Sequence, residues 1–322
     1  MKVIAMMPVR NEDWVIEHSL ACLSAFCDVI LVGDRGSDDR TRDICRRFPS
    51  AVVVDAPEAS RIREQRWQLL DAARDYDGHN LLWATDADEL LSPKPARAFL
   101  AGARERLSPG TAIECRYYHL WNAPDRFRDD VSHYGPQWKQ VGFVDDRRAD
   151  FDRSNATALH EPRVPAGADA PLIQEESLHL LHLQWLIPQR NQLKQAWYRC
   201  RELLDGRSAA AINGFYSVTL SDARVPTTKV PGEWVEAVTF PSADSDLISS
   251  WHLREILDWF DQRGIEFFEG LEIWQIRVLD DEFRKRVGRA PRPNLSYRPT
   301  WPARAQRFGR RLVNAARRRL PV

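Results

Sequence analysis

Over the first hundred residues the chain repeats one rhythm, a short apolar run followed by a helical stripe. Lys2–Met7 is an apolar run closed by Pro8, which suits a buried strand. Asn11-Glu12-Asp13 offers a helix cap and first-turn acids, and Ile16, Leu20, Leu23 and Cys27 follow at helical spacing. Val29–Val32 reads as a second strand, ending in Gly33-Asp34-Arg35-Gly36-Ser37-Asp38-Asp39. Ser37 or Asp38 then caps a second helix with Thr41, Ile44, Cys45 and Phe48 on its inner face. Ala51–Val54 is a third strand. A third helix is expected over about 60–75, with Ile62, Arg66, Leu69, Leu70 and Ala73 along one face. Leu81–Thr85 is the fourth strand, and a helix is expected over 95–107.

Strands alternating with helices in this way predict βαβ units and a mostly parallel sheet. Right-handed crossovers place the carboxyl ends of the strands along one rim, where open α/β sheets bind their ligands. The fourth strand runs straight into Asp86, Asp88 and Glu89. Two aspartates one residue apart can share a hard cation that keeps positions open for phosphate oxygens. Capping of a following helix explains the same acids equally simply. Arg66 stands on an apolar stripe, either snorkelling to an ion pair or aimed into the cleft toward a phosphate or base.

After Leu107 the rhythm breaks. Thr111–Tyr118, Val141–Val144 and Leu178–Trp185 read as strands, and Gln189–Leu204 as a helix with Leu193, Trp197, Cys200 and Leu204 on one stripe. Residues 206–322 read as a C-terminal, mainly helical extension to a first domain of residues 1–205. It holds amphipathic helices over about 246–262 and 266–287. Its tail, Arg304–Arg319, carries seven arginines around Phe308, Leu312 and Ala316. That tail can lie on an anionic membrane surface, and a solvated basic terminus accounts for it as well.

Charge and composition narrow the function classes. Lys plus Arg and Asp plus Glu both number 46, so no global field points to nucleic acid. The five cysteines are scattered with no Cys-x-x-Cys pair, reading as small buried residues of a reducing, cytoplasmic protein. No run is long and apolar enough to span a bilayer. There is no Gly-x-Gly-x-x-Gly, no Gly-Lys-Ser/Thr loop and no Gly-x-Ser-x-Gly turn. Those absences disfavour dinucleotide dehydrogenases, P-loop enzymes and α/β-hydrolases.

Three motifs carry a resemblance. Pro8-Val-Arg-Asn-Glu12, Val32-Gly-Asp-Arg-Gly-Ser-Asp-Asp-Arg-Thr41 and Thr85-Asp-Ala-Asp-Glu89 stand after strands one, two and four. In order and spacing they resemble the family 2 glycosyltransferases of GT-A fold. His160-Glu161, His182, and Lys194 with Tyr198 resemble the branch that adds glucose or heptose to the lipopolysaccharide core. The resemblance covers about residues 1–205. One departure is visible: many members carry two consecutive acids where this chain has Gly33-Asp34.

The resemblance implies a GT-A sheet with helices on both faces and an inverting transfer from a nucleotide-sugar donor, UDP- or GDP-linked. The acceptor would be a glycan or lipid-linked hydroxyl in cell-surface glycan or polysaccharide synthesis, at the inner face of the membrane. Asp34 would contact the donor nucleotide, beside the loop of Pro8, Arg10, Asn11 and Glu12. Arg66 falls where members carry a basic residue near the base or diphosphate. Asp86 would face ribose and metal, Asp88 would bind the metal, His182 would hold metal or diphosphate, and Lys194 the diphosphate. Oxygen-rich ligands suit Mg²⁺ or Mn²⁺, and one imidazole tilts the choice to Mn²⁺. For the base that takes the acceptor proton we name Glu161, with Glu89 second. His160 stays open between ligand and orienting residue, and His179 should face away from His182 along a strand. A nucleotidyltransferase is the alternative enzyme, although Pro8-Val-Arg-Asn-Glu12 is poor for its Gly-rich phosphate loop. A non-catalytic sugar- or nucleotide-binding protein is the other, and it predicts loss of the aspartates or of the His/Lys pair.

Overall fold

The computed structural model describes residues 1–56, 62–103, 105–132, 134–154, 162–167, 169–217, 225–242 and 251–296. They form two compact units, Met1–Gln184 with Thr227–Ser242, and Trp185–Pro226 with Ala243–Val322 so far as those are described.

In the first unit the predicted βαβ rhythm is present. Strands β1 (Val3–Val9), β2 (Val29–Asp34), β3 (Ala51–Asp55) and β4 (Leu81–Ala84) alternate with helices α1 (Ile16–Leu23), α2 (Thr41–Cys45) and α3 (Ile62–Ala73). They pair in parallel in the order β3-β2-β1-β4. All seven residues of β1 are buried, as a central strand covered on both faces requires. Over one face α3 packs Leu69, Leu70 and Ala73 against Ile4, Met6, Leu31 and Leu82. Ile62, expected on that inner face, is 40% exposed.

Beyond β4 the sheet continues through β8 (Gln137–Val144), β6 (Ala112–His119), β9 (Leu172–His182) and β5 (Glu89–Leu91). Strands β8 and β5 run against the other six. Helix α4 (Pro93–Ala103) follows β5, and β7 (Arg126–Arg128) pairs separately with β10 (Thr227–Lys229). A largely parallel half joined to a mixed half is the sheet arrangement the sequence led us to expect.

The short strand β5 was not anticipated, and it decides the shape of the sheet. The acid turn does not cap a helix; it leads from β4 to β5, four strand positions away. A flat sheet would separate those strands by about 19 Å. Five residue steps reach at most about 17 Å when fully extended, and this turn is folded, Glu89 N–H donating to the Asp86 carbonyl at 3.1 Å. The sheet is therefore curled, and the acid turn bridges its two sides.

Helix α5 (Pro188–Leu204) belongs to the second unit. Its Leu193, Ala196 and Cys200 share a core with α6 (Ala209–Tyr216), α7 (Trp251–Arg263) and α8 (Arg277–Val287). The single helix expected over 266–287 is broken into a 3₁₀ turn, Ile265–Phe268, an irregular link and α8. Asn213, fully buried, explains the break. It donates to the carbonyls of Gly270 and Asn294, both at 2.9 Å, and accepts from Glu272 N–H at 2.9 Å. The link's backbone thus bonds a side chain instead of a helix turn. All five cysteines are buried and free. Among the described residues no helix is long and apolar enough to cross a membrane; Arg304–Arg319 lies outside them.

Candidate functional site

The first two motif loops are stapled to each other. Asn11, at φ 56°, donates its N–H to Ser37 Oγ at 2.9 Å, and its side chain accepts from Asp38 N–H at 2.9 Å. Glu12 N–H donates to Thr41 Oγ1 at 2.8 Å, and the Glu12 carboxylate accepts from Trp14 Nε1 at 2.6 Å. Asp34 is 1% exposed. It accepts from Ser37 N–H at 3.2 Å and Ser37 Oγ at 2.5 Å, and pairs with Arg42 at 3.4 Å. Its carboxylate therefore shapes the loop from within. Pro8 is the buried penultimate residue of β1, and Arg10 is half-buried just past the strand.

Gly33 has a packing reason. A Cβ there would lie 3.1–3.3 Å from three side-chain atoms of Leu69. The space a second acid would need is filled by α3. Gln65, also on α3, donates to the Gly33 and Val9 carbonyls at 3.0 and 3.3 Å, joining helix to both loops.

The third motif is held from both sides. Ser19 of α1 donates to the Ala87 carbonyl, and Leu183 N–H to the Asp88 carbonyl at 2.8 Å. Glu89 opens β5 directly opposite His182, and His182 is opposite His119 on β6. Cross-strand partners share a face, so Glu89, His182 and His119 form one row at the rim.

Two arginines meet the acids there. Arg66 Nη2 donates to Asp86 Oδ1 at 2.9 Å. Arg163 donates to Asp86 Oδ2 at 3.0 Å and to both oxygens of Glu89. Asp86 N–H donates to Glu89 Oε2 at 2.9 Å. Burial pushes the Asp86 carboxyl upward, but Arg163 and then Arg66 outweigh it and hold the group below the usual aspartate range. Burial also weakens the hold of Arg66 on its proton, with Arg163 adding to the effect and Asp86 opposing it. An arginine nonetheless keeps its charge near neutrality. For Arg163 burial is overcome by Asp86 and Glu89, which bind its proton more tightly than usual.

Asp88 points elsewhere, its Oδ2 lying 3.4 Å from His182 Nε2. That spacing suits two neighbouring ligands of one small cation at about 2.1 Å each. Asp86, expected as a third ligand, is occupied by the two guanidiniums. No group of three or more His, Cys, Asp or Glu side chains placed to hold a metal exists among the described residues. Asp88 and His182 thus fit as a two-residue set, with the remaining positions left to ligand oxygens or water.

Tyr117 backs the row, its ring centroid 5.0 Å from His119 and 5.4 Å from His182. Burial, then Glu89, pushes its hydroxyl well above the usual phenol range. Lys139 Nζ lies 5.5 Å from the Tyr117 ring centroid, and burial followed by Arg163 lowers its proton affinity. His179 faces away from His182 as the strand period requires, stacked on Trp234 at 3.8 Å.

Of the expected residues, the structure brings Arg66, Asp86, Asp88, Glu89 and His182 together. Lys194 is a half-buried residue of α5 in the second unit, and Glu161 and His160 lie outside the described residues. Sequence reasoning missed Arg163, His119, Tyr117 and Lys139. Strand alternation places Cys115, Tyr117 and His119 on one face, a signal that was available; Arg163 had no periodic signal.

Fold and rim together define an α/β protein with a curled, mostly parallel sheet and an acid–guanidinium cluster at its strand ends. No protein-family model matches the chain, and no curated protein matches it. It is similar to glucosyl-3-phosphoglycerate synthase from Mycobacterium tuberculosis in complex with Mn²⁺, uridine diphosphate and glucosyl-3-phosphoglycerate, at 21% identity over 37% of this chain and 44% of that one, TM-score 0.28. It is also similar to S. aureus TarS, at 13% identity over 87% of this chain and 50% of that one, TM-score 0.42. For TarS 1–349 the values are 12%, 88%, 85% and 0.36. The chain spans less than half the length of the mycobacterial synthase it matches. The functional reading rests on the site itself.

Proposed function

We propose that this chain is an inverting glycosyltransferase that moves a sugar from a nucleoside-diphosphate donor, UDP- or GDP-linked, to an acceptor hydroxyl. The observation that carries the reading is the meeting, at one rim, of the Asp86–Arg66–Arg163 cluster with the Asp88–His182 pair. The stapled loops of Pro8–Glu12 and Asp34–Ser37 stand at the ends of neighbouring strands. A departing nucleoside diphosphate develops negative charge, and fixed cations already in place stabilise it without reorganisation.

Each residue has a part in that scheme. Asp34 orders the loop that receives the nucleotide, with Arg10, Asn11 and Glu12 beside it. Arg66 and Arg163, held in position by Asp86 and Glu89, offer guanidinium donors to the diphosphate. Asp88 and His182 hold a divalent cation, Mn²⁺ or Mg²⁺. When bound, that ion supplies Lewis-acid stabilisation of the leaving diphosphate. Lys194 is assigned as a further diphosphate partner. Glu89, with both oxygens engaged by Arg163 and no exposed side-chain surface, anchors rather than abstracts a proton. The base that takes the acceptor proton is Glu161. The acceptor is a glycan or a lipid-linked hydroxyl of cell-surface glycan synthesis, met at the inner membrane face with the help of the Arg304–Arg319 tail.

A thermal-shift series with UDP-, GDP-, CMP- and dTDP-sugars, with and without Mn²⁺, tests the reading. One UDP- or GDP-sugar should raise the unfolding temperature, and Mn²⁺ should add to it. If no nucleotide stabilises the protein under either condition, the transferase reading is wrong.

A further inference from the structure

His119 and His182 face each other with their Nδ1 atoms 2.9 Å apart, and the two residues are 6% and 8% exposed. At that distance two lone pairs repel, and so do two N–H groups. One ring must donate and the other accept. Each neutral imidazole carries one proton, so the direction of this bond decides what sits on the far nitrogen of His182, facing Asp88.

There are two arrangements. If His119 donates, His182 carries its proton on Nε2 and aims it at Asp88 Oδ2, 3.4 Å away. If His182 donates from Nδ1, its Nε2 presents a lone pair to the same carboxylate oxygen, and His119 carries its own proton on Nε2. Two electron-rich atoms facing one another are unfavourable unless a cation lies between them. Cation binding and the second arrangement therefore require each other.

We infer that His119 is a positioning residue, which accepts the Nδ1 proton of His182 and so holds that imidazole in the tautomer whose Nε2 can ligate a divalent cation with Asp88. The inference rests on the reading that Asp88 and His182 hold the cation. It adds a residue to that site, together with the reason a second histidine stands in strand register with the first. Groups that orient a metal-binding imidazole through its other nitrogen typically change metal affinity about 10–100-fold when removed. The Tyr117 ring, 5.0 and 5.4 Å from the two imidazole centroids, limits how far either ring can turn to find another partner.

The test uses the full chain with UDP. Mn²⁺ affinity is measured by electron paramagnetic resonance for wild type, His119→Phe, His119→Asn and Asp88→Asn. Phenylalanine keeps a ring but offers no acceptor; asparagine can accept through Oδ1. His119→Phe should bind Mn²⁺ about 10–100-fold more weakly, while His119→Asn stays within a few-fold of wild type. Nitrogen-15 spectra of histidine-labelled wild type with Mg²⁺ and UDP should show His182 protonated on Nδ1 alone, a readout that needs no variant to fold. Wild-type affinity in His119→Phe, or His182 protonated on Nε2 with Mg²⁺ bound, overturns the role of His119. If wild type binds no Mn²⁺ and Asp88→Asn behaves identically, the cation reading falls and takes this inference with it. Binding lost in Asp88→Asn but kept in His119→Phe removes the role of His119 alone.

Discussion

Arg163 donates both terminal guanidinium nitrogens to the carboxylate of Glu89, a side chain with no exposed surface. Removing one partner of such a pair strands a buried charge. Arg163→Met should therefore destabilise the protein by about 3–5 kcal/mol, and Glu89→Gln in the same background should restore part of that loss. Urea unfolding of the two single variants and the double variant measures it. Simple additivity would mean that the pair is not coupled.

The depressed Asp86 carboxyl makes a pH prediction. Its folded form binds a proton less readily than the unfolded chain does, because Arg163 and Arg66 outweigh the effect of burial. The stability it contributes is complete above the ordinary aspartate value of about 3.9, and is lost as pH falls through the lower folded value. The stability difference between wild type and Asp86→Asn should thus shrink on acidification below that ordinary value. A difference that stays constant from neutral to acid pH would contradict the ion-pair account.

Asp88→Asn removes the charged oxygen 3.4 Å from His182 Nε2. We expect metal-dependent nucleotide binding to vanish in titration calorimetry while the unfolding temperature stays close to wild type. Retained metal-dependent binding would place the cation elsewhere.

Gly33→Asp installs the second acid that many family 2 members carry. Its Cβ alone would press on Leu69, and overpacking of this kind costs about 1–3 kcal/mol. Leu69→Ala in the same chain should relieve part of that cost, giving a favourable coupling in a double-mutant cycle. Absence of coupling would show that the glycine is kept for another reason.

In the second unit, Asn213→Ala should cost about 1–3 kcal/mol, since the buried side chain gives up bonds to three backbone groups of the link and the segment after α8. Chemical denaturation measures the loss, and near-wild-type stability would mean that the link between the 3₁₀ turn and α8 finds other partners.

The parallel half of the sheet was legible because β1, β2 and β4 are short, largely apolar runs, and the helices between them carry apolar stripes. The acid turn, Arg66 and His182 were legible because charge at a strand end or on an apolar stripe is conspicuous. Strand β5 was not: three residues carry no period, and its place is set by long-range pairing with β9. Arg163 was invisible for the same reason, being non-periodic and meaningful only through Asp86 and Glu89, 77 and 74 positions earlier. The break before α8 depends on a single asparagine more than fifty residues upstream. Local pattern could not show it.

The turn that joins the two sides of the curled sheet also acts as a ruler. Surface loops usually tolerate an added residue at little cost. Here one extra residue between Ala84 and Glu89 would either push Glu89 out of step with His182 or turn it to the opposite face of β5. Arg163 would lose its bidentate carboxylate partner and His182 its cross-strand neighbour in the same event. The segment is constrained in its length as well as in its acids.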